Sequence, residues 1–221
     1  MQELLRTTLG EFALEEYVLR AGGNEWRILH TGAILTPEDE SRYLREPMNR
    51  LPFGVALWPS SIALAPEIAS RPDEFRGRDV LELGAGTGLP GIVAAGAGAR
   101  VVQTDRHAVP LELCRSNAER NRVPITHRQA DWAEWDDDAR HDWILGADIL
   151  YAKAMHPHLR RILESALTPD GRILLADPFR PQSIAFLETL EADGWAITMS
   201  RWNLGEEGRE RPVGVFEVWR G

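Results

Sequence analysis

The twelve residues Val80-Leu81-Glu82-Leu83-Gly84-Ala85-Gly86-Thr87-Gly88-Leu89-Pro90-Gly91 constrain this chain more than any other stretch. A short apolar run carrying an acid gives way at once to closely spaced glycines, and apolar residues continue to Ala97. That order predicts a buried strand, a tight turn and the first turn of a helix. Glycines let the backbone come close to a ligand, because no Cβ intervenes. The helix start aims unpaired N–H groups at the same place. Such a turn holds a nucleotide-like ligand.

Gly86, Gly88 and Gly91 fit the G-x-G-x-x-G spacing of dinucleotide sites, a weak pattern by itself. Asp105 follows at the end of the next apolar run, placed to accept ribose hydroxyls. Both NAD and S-adenosylmethionine satisfy these two features. Three others favour the second. A long segment precedes the glycine strand, whereas dinucleotide folds often begin near it. Glu82 sits inside the strand end, where a carboxylate suits an amino group and repels a pyrophosphate. Asp131-Trp132 and Asp148-Ile149-Leu150-Tyr151 then fall at the ends of the next two expected strands.

From Arg78 onward, apolar runs and amphipathic segments alternate, which implies a parallel sheet. Expected strands are Asp79–Leu83, Arg100–Thr104, Ile125–Gln129, Trp143–Ala147 and Arg172–Ala176. Expected helices are Pro90–Ala97, Ala108–Arg120, Met155–Ala166 and Gln182–Ala192. Trp195–Trp202 and Val213–Trp219 close the sheet, joined by a polar loop with Gly205 and Gly208. The fold class is therefore α/β: a Rossmann-like, doubly wound, seven-stranded and mostly parallel sheet with an antiparallel closing hairpin. Residues 1–50 form an extension and residues 51–221 the main domain. In the extension, Leu4 to Arg20 is expected to be helical and Trp26 to His30 a short strand. Thr36 and Pro37 open another helix, with Asp39 as a weak capping-box partner. Leu51 to Trp58 should be extended, before a helix that starts near Ser60 and is kinked at Pro66.

These motifs together resemble the seven-β-strand (class I) methyltransferases, and among them the family 16 group rich in protein-lysine methyltransferases. The markers are Leu57-Trp58-Pro59-Ser60, the Glu82-to-Gly91 turn, Asp105, Asp131-Trp132 and Asp148 to Tyr151, and the likeness covers about Leu51 to Trp219. Asp177-Pro178-Phe179-Arg180-Pro181 looks like a segment of enzymes that methylate the electron-transfer flavoprotein β subunit. Gly88 to Ala95 looks like a branch that acts on histone arginine. The resemblance implies S-adenosylmethionine as cofactor, leaving as S-adenosylhomocysteine. Its holders would be Trp58, Glu82, Gly84, Ala85, Gly86, Gly88, Asp105, Arg106, Asp131, Trp132 and Ala147. Glu82 orients the glycine loop or the methionine amine, or else simply caps neighbouring N–H groups. Asp148 and Tyr151 are the expected catalytic pair, Asp148 as an orienting acceptor and Tyr151 as a channel wall.

The implied reaction is N-methylation of a lysine in a protein substrate. A protein arginine, a small-molecule amine, or cofactor binding without turnover are the alternatives. A formal charge of −9 argues against a broad nucleic-acid footprint and is compatible with a basic protein segment. The single cysteine, Cys114, is expected in the core, and it fits a reducing compartment such as the cytoplasm. No signal peptide or membrane-length apolar run is present. No zinc-like ligand spacing occurs, so no metal is expected. Lys153 is the only lysine, against 24 arginines, and it lies two residues past Tyr151.

Overall fold

The computed structural model describes residues 3–7, 10–34, 38–39, 53–205 and 210–221. Thr36, Pro37, Leu51 and Gly208 lie outside them, so the expected Thr36 helix start is not assessed.

Residues 3–30 correct the expected helix. Leu4 to Arg20 is strand: β1 (Leu4–Thr7) pairs antiparallel with β2 (Gly10–Ala13), and β3 (Glu15–Ala21) with β4 (Asn24–His30). Leu, Glu and Ala favour helix intrinsically, but the preference is weak and tertiary packing overrides it. The period-2 signal is present. Tyr17, Leu19 and Ala21 point inward, whereas Glu16, Val18 and Arg20 are exposed. Gly22 and Gly23 then make the two-residue turn with φ of 60° and 74°, a geometry that hairpins demand and β-carbons resist. The Trp26–His30 strand is therefore one arm of a longer hairpin.

The main domain follows the expected order. After a short 3₁₀ turn, Phe53–Val55, come helix α1 (Pro59–Ala69) and a brief helix α2 (Pro72–Phe75). Phe53–Val55, expected to be extended, is thus a 3₁₀ turn. Pro66 does not end α1, because the following turn stays closed by Ser70 N–H on the Pro66 carbonyl at 2.9 Å. Then follow β5 (Asp79–Leu83), α3 (Leu89–Gly96), β6 (Arg100–Asp105), α4 (Ala108–Asn121), β7 (Ile125–Gln129) and β8 (His141–Ala147). Helix α5 (His156–Ser165), β9 (Leu167–Asp177), α6 (Pro181–Ala192), β10 (Trp195–Leu204) and β11 (Arg211–Arg220) complete the chain.

The seven-stranded sheet has the order β10-β11-β9-β8-β5-β6-β7. The last five are parallel, and β11 runs antiparallel between β9 and β10. The chain winds outward through β5, β6 and β7 and then returns to place β8 on the other side of β5. That reversal opens a crevice above the carboxyl ends of β5 and β8. The sheet's core strands are apolar because helices cover both faces. On one side, Leu64, Ile68, Val80 and Ile92 pack with Trp26 and Ile28 of the hairpin. On the other, Leu81, Leu83 and Ile144 meet Leu159, Ile162 and Leu163 of α5.

Candidate active site

The four acids expected in the site fall at the carboxyl rim of the parallel strands, and Asp177 joins them. Glu82 is the penultimate residue of β5 and Asp105 the last of β6. Asp131 caps the 3₁₀ turn after β7, and Asp148 follows β8 directly. Asp177 ends β9, fully buried.

The glycine loop is sealed by its own acids. Gly86 N–H donates to Asp105 Oδ2 at 3.2 Å, and Gly91 N–H donates to Glu82 Oε2 at 3.1 Å. Ala85 N–H goes to the Thr104 carbonyl and Gly88 N–H to that of Ala85. Gly86 adopts φ 58°, and a β-carbon there would lie 3.1 Å from the Gly54 carbonyl, so the Phe53–Val55 turn presses directly on the loop. Below it, Cys114 donates its thiol to the Gly86 carbonyl at 3.0 Å. The expected core cysteine is indeed buried, and it also braces the loop.

Burial raises these acids. Glu82, 2% exposed, is pushed up to about 8 by desolvation, with the Asp105 charge adding to it. Hydrogen bonds from Gln103 at 2.7 Å and from Gly91 oppose the rise without cancelling it. Asp105 is also raised by burial, against the N–H groups of His107 and Gly86. Glu82 accepts the Gly91 N–H and the Gln103 amide, and so ties the end of β5 to the first turn of α3.

Asp131 binds Ala133 N–H at 2.9 Å and pairs with Arg106 at 3.0 Å. Trp132 lies beside them and comes within 3.4 Å of where a Gly84 β-carbon would stand. Ala147 closes β8 next to Asp148. Trp58 is half-buried at the start of α1, its indole N–H on the Phe53 carbonyl at 2.9 Å and its ring edge-on to Phe53. The structure thus brings Glu82, Gly84, Ala85, Gly86, Gly88, Asp105, Arg106, Asp131 and Trp132 to one side of the crevice.

Asp148 and Tyr151 occupy the other side. Asp148 is buried with φ 56° and receives Ser60 N–H on Oδ2 at 3.2 Å and Arg180 Nη1 on Oδ1 at 2.6 Å. Tyr151 is exposed rather than packed between helix and sheet. Its hydroxyl is raised by burial, then by the Asp105 charge, and it also feels Arg106, Arg180 and Asp148.

Sequence reasoning missed four supports. Gln103 braces Glu82, Arg180 binds Asp148, and Gly54 backs the glycine loop. The fourth is Asn117 on α4, fully buried, which donates to the Thr87 and Leu29 carbonyls at 2.9 and 3.0 Å. It also accepts Leu29 N–H at 2.8 Å, tying the hairpin to the glycine loop. Asn117 and Asn121 stand one helical turn apart, and Asn121 pairs with both backbone groups of Arg27. That i, i+4 repeat facing β4 was the available signal.

The strand order and the acid-sealed glycine crevice define the class I methyltransferase type of α/β fold. Solved structures agree on the fold. A precorrin-8W decarboxylase from Methanobacterium thermoautotrophicum superposes with a TM-score of 0.59 at 17% identity, covering 72% of this chain and 91% of that one. A magnesium protoporphyrin IX methyltransferase from Synechocystis, solved with bound S-adenosylhomocysteine, gives 0.57 at 18% identity, with 73% and 82% covered.

The lysine methyltransferase family profile matches residues 39–193, and the chain belongs to that family. Mouse EEF1A lysine methyltransferase 3 is 34% identical over 139 residues, which span 61% of this chain and 60% of that protein. Mouse protein N-lysine methyltransferase METTL21A is 35% identical over 157 residues, 67% of this chain and 72% of that protein. Mouse histone-arginine methyltransferase METTL23 is 33% identical over a shorter match, 45% of this chain and 42% of that protein.

Proposed function

We propose that this chain is an S-adenosylmethionine-dependent N-methyltransferase that acts on a lysine side chain of a protein. The observation that carries the cofactor assignment is the occupied glycine loop. Its Gly86 and Gly91 N–H groups, at the glycine positions that would cradle a pyrophosphate, are already taken by Asp105 and Glu82. An acid-lined loop suits a cation instead. Gly84 to Gly88 with Glu82 would face the methionine part, Asp105 the ribose, and Asp131 with Trp132 the adenine. When bound, S-adenosylmethionine supplies an electrophilic methyl group on a sulfonium and leaves as a thioether.

What the chain's residues contribute is placement. Aligning a nucleophile at near-attack distance accounts for a large share of such a barrier, about 7–11 kcal/mol in favourable systems. Asp148, rigidly held at the mouth beside β8, accepts a hydrogen bond from the incoming amine, and Tyr151 forms the exposed wall. A lysine amine ordinarily titrates near about 10.4 and must arrive neutral. The crevice favours the neutral form by desolvating it. The names of the relatives, a lysine methyltransferase for EEF1A and protein N-lysine methyltransferases, support the acceptor class.

The test is transfer of labelled methyl from S-adenosylmethionine to an extract of the host, resolved on a gel and mapped by mass spectrometry. Label on lysine in discrete, protease-sensitive bands is expected. Label confined to arginine, or to small molecules, would replace the lysine acceptor with one of those.

A further inference from the structure

Asp148 presents a difficulty for the acceptor proposed above. An unopposed carboxylate beside a lysine amine holds the proton on it and so blocks the lone pair. The structure contains the answer in a buried clamp around Arg180. Its guanidinium donates to Asp148 Oδ1 at 2.6 Å and to Asp177 Oδ2 at 3.1 Å through the same Nη1. Asp177 Oδ1 accepts the Arg180 backbone N–H at 2.7 Å, and Ser183 Oγ donates to Asp177 Oδ2 at 2.7 Å. Asp177 thus fixes both the backbone and the head of Arg180.

This is not an incidental surface pair. The side chains of Arg180 and Asp148 are 18% and 6% exposed, and that of Asp177 is fully buried. Among the described residues three non-glycines have positive φ: Arg122, Asp148 and Phe179. Arg122 ends helix α4, a common place for that geometry. The other two flank the clamp, Asp148 as its target and Phe179 immediately before Arg180. Backbone strain of about 1–3 kcal/mol per residue persists where the surroundings impose it, and it gathers at functional sites. Buried ion pairs, in turn, are weak contributors to stability, because desolvation offsets their attraction. Two strained residues and a desolvated pair therefore point to a chemical purpose.

We propose that Arg180 is a positioning residue that neutralises Asp148, so that Asp148 orients the acceptor amine without keeping it protonated. The proposal rests on the lysine reading above. The charged groups facing the amine's approach are Asp148 from the end of β8, Asp177 and Arg180 from the end of β9, and Asp105 and Arg106 from the end of β6. Tyr151 adds a hydroxyl that is neutral throughout the working range. With Arg180 in place, the carboxylate nearest the amine is balanced by a guanidinium at hydrogen-bond distance. Without it, Asp148 at the mouth and Asp177 buried behind it are both unopposed.

The test is the acid limb of the rate-against-pH profile at saturating S-adenosylmethionine, read as tritium transferred to protein in a desalted host extract. Arg180→Met should move that limb to higher pH by about 1–3 units, with the rate recovering at the alkaline end. Arg180→Lys keeps the charge and should hold the limb near the wild-type position. Asp177→Asn leaves Arg180 facing Asp148 alone and should move the limb the opposite way. Calorimetric titration with S-adenosylmethionine checks that each variant is folded, and Asp177→Asn keeps the test open if Arg180→Met is not. A uniform rate loss at every pH with an unmoved limb in both variants would overturn the role of Arg180. Absence of any labelled protein with the wild-type chain would instead overturn the lysine reading itself.

Discussion

The two sides of the crevice hold their acids by different means. On the cofactor side, Glu82 and Asp105 accept from backbone N–H groups of the loop they line, at 3.1 and 3.2 Å. Backbone donors orient a carboxyl but carry no net charge, and burial raises both acids, Glu82 to about 8, so a bound cation is what draws this side into its charged form. On the acceptor side, Asp148 and Asp177 share a guanidinium, which offsets charge while preserving geometry. That side suits an amine that must arrive neutral. One crevice therefore presents an acidic wall that a bound cation would ionise and a wall whose negative charge a guanidinium offsets, and methyl transfer from a sulfonium to an amine uses both.

Four substitutions test this contrast. Asp148→Ala removes the acceptor side alone. The turnover rate should fall by about 10²–10⁴-fold, while calorimetry shows S-adenosylmethionine affinity within a few-fold of wild type. Loss of cofactor affinity instead would move Asp148 across the crevice.

Glu82→Gln alters the cofactor side alone. The folded-state value of Glu82, about 8, lies above its ordinary 4.5. Between those values the folded chain holds a proton that the unfolded chain has released, so stability falls as pH rises and levels off above about 8. The glutamine variant removes this loss. Thermal melts without cofactor should show it more stable than wild type by a margin that grows from about pH 5 to pH 8, to about 3–5 kcal/mol. A constant margin would mean that Glu82 is not raised. By the same linkage, a bound cation favours charged Glu82, so wild-type cofactor affinity should strengthen over that window and that of the variant should not.

Asn117→Ala unties the cofactor loop from the hairpin and strands the Leu29 backbone groups and the Thr87 carbonyl. It should cost about 2–4 kcal/mol in chemical denaturation. A smaller loss would show that apolar contact and the Asn121 bonds to Arg27 hold the hairpin without Asn117. Tyr151→Phe is the mildest change, because the exposed ring remains. A KM rise of a few-fold, under about 1 kcal/mol, is expected, with cofactor affinity intact.

The sheet, its order of elements and the acidic rim were legible because their signals are local. Apolar runs ended by Glu82, Asp105 and Asp148 mark strands whose next residues face the crevice. The hairpin was misread because Leu4 to Arg20 is rich in helix-favouring residues, and its strand state depends on docking to α4 through Asn117 and Asn121. The Gly22-Gly23 pair was the clue that should have outweighed propensity. Arg180 and Gln103 act through partners distant in sequence, so spacing alone could not expose them. The Asp177-to-Pro181 segment was noticed as a motif. Its work appears only where β8 and β9 come side by side.

The most direct measurement is a paired calorimetric titration of the purified protein with S-adenosylmethionine and with NADH. A glycine loop sealed by Glu82 and Asp105 predicts saturable binding of S-adenosylmethionine and none of NADH. Tight NADH binding, or failure of S-adenosylmethionine to bind, would contradict the account at its base.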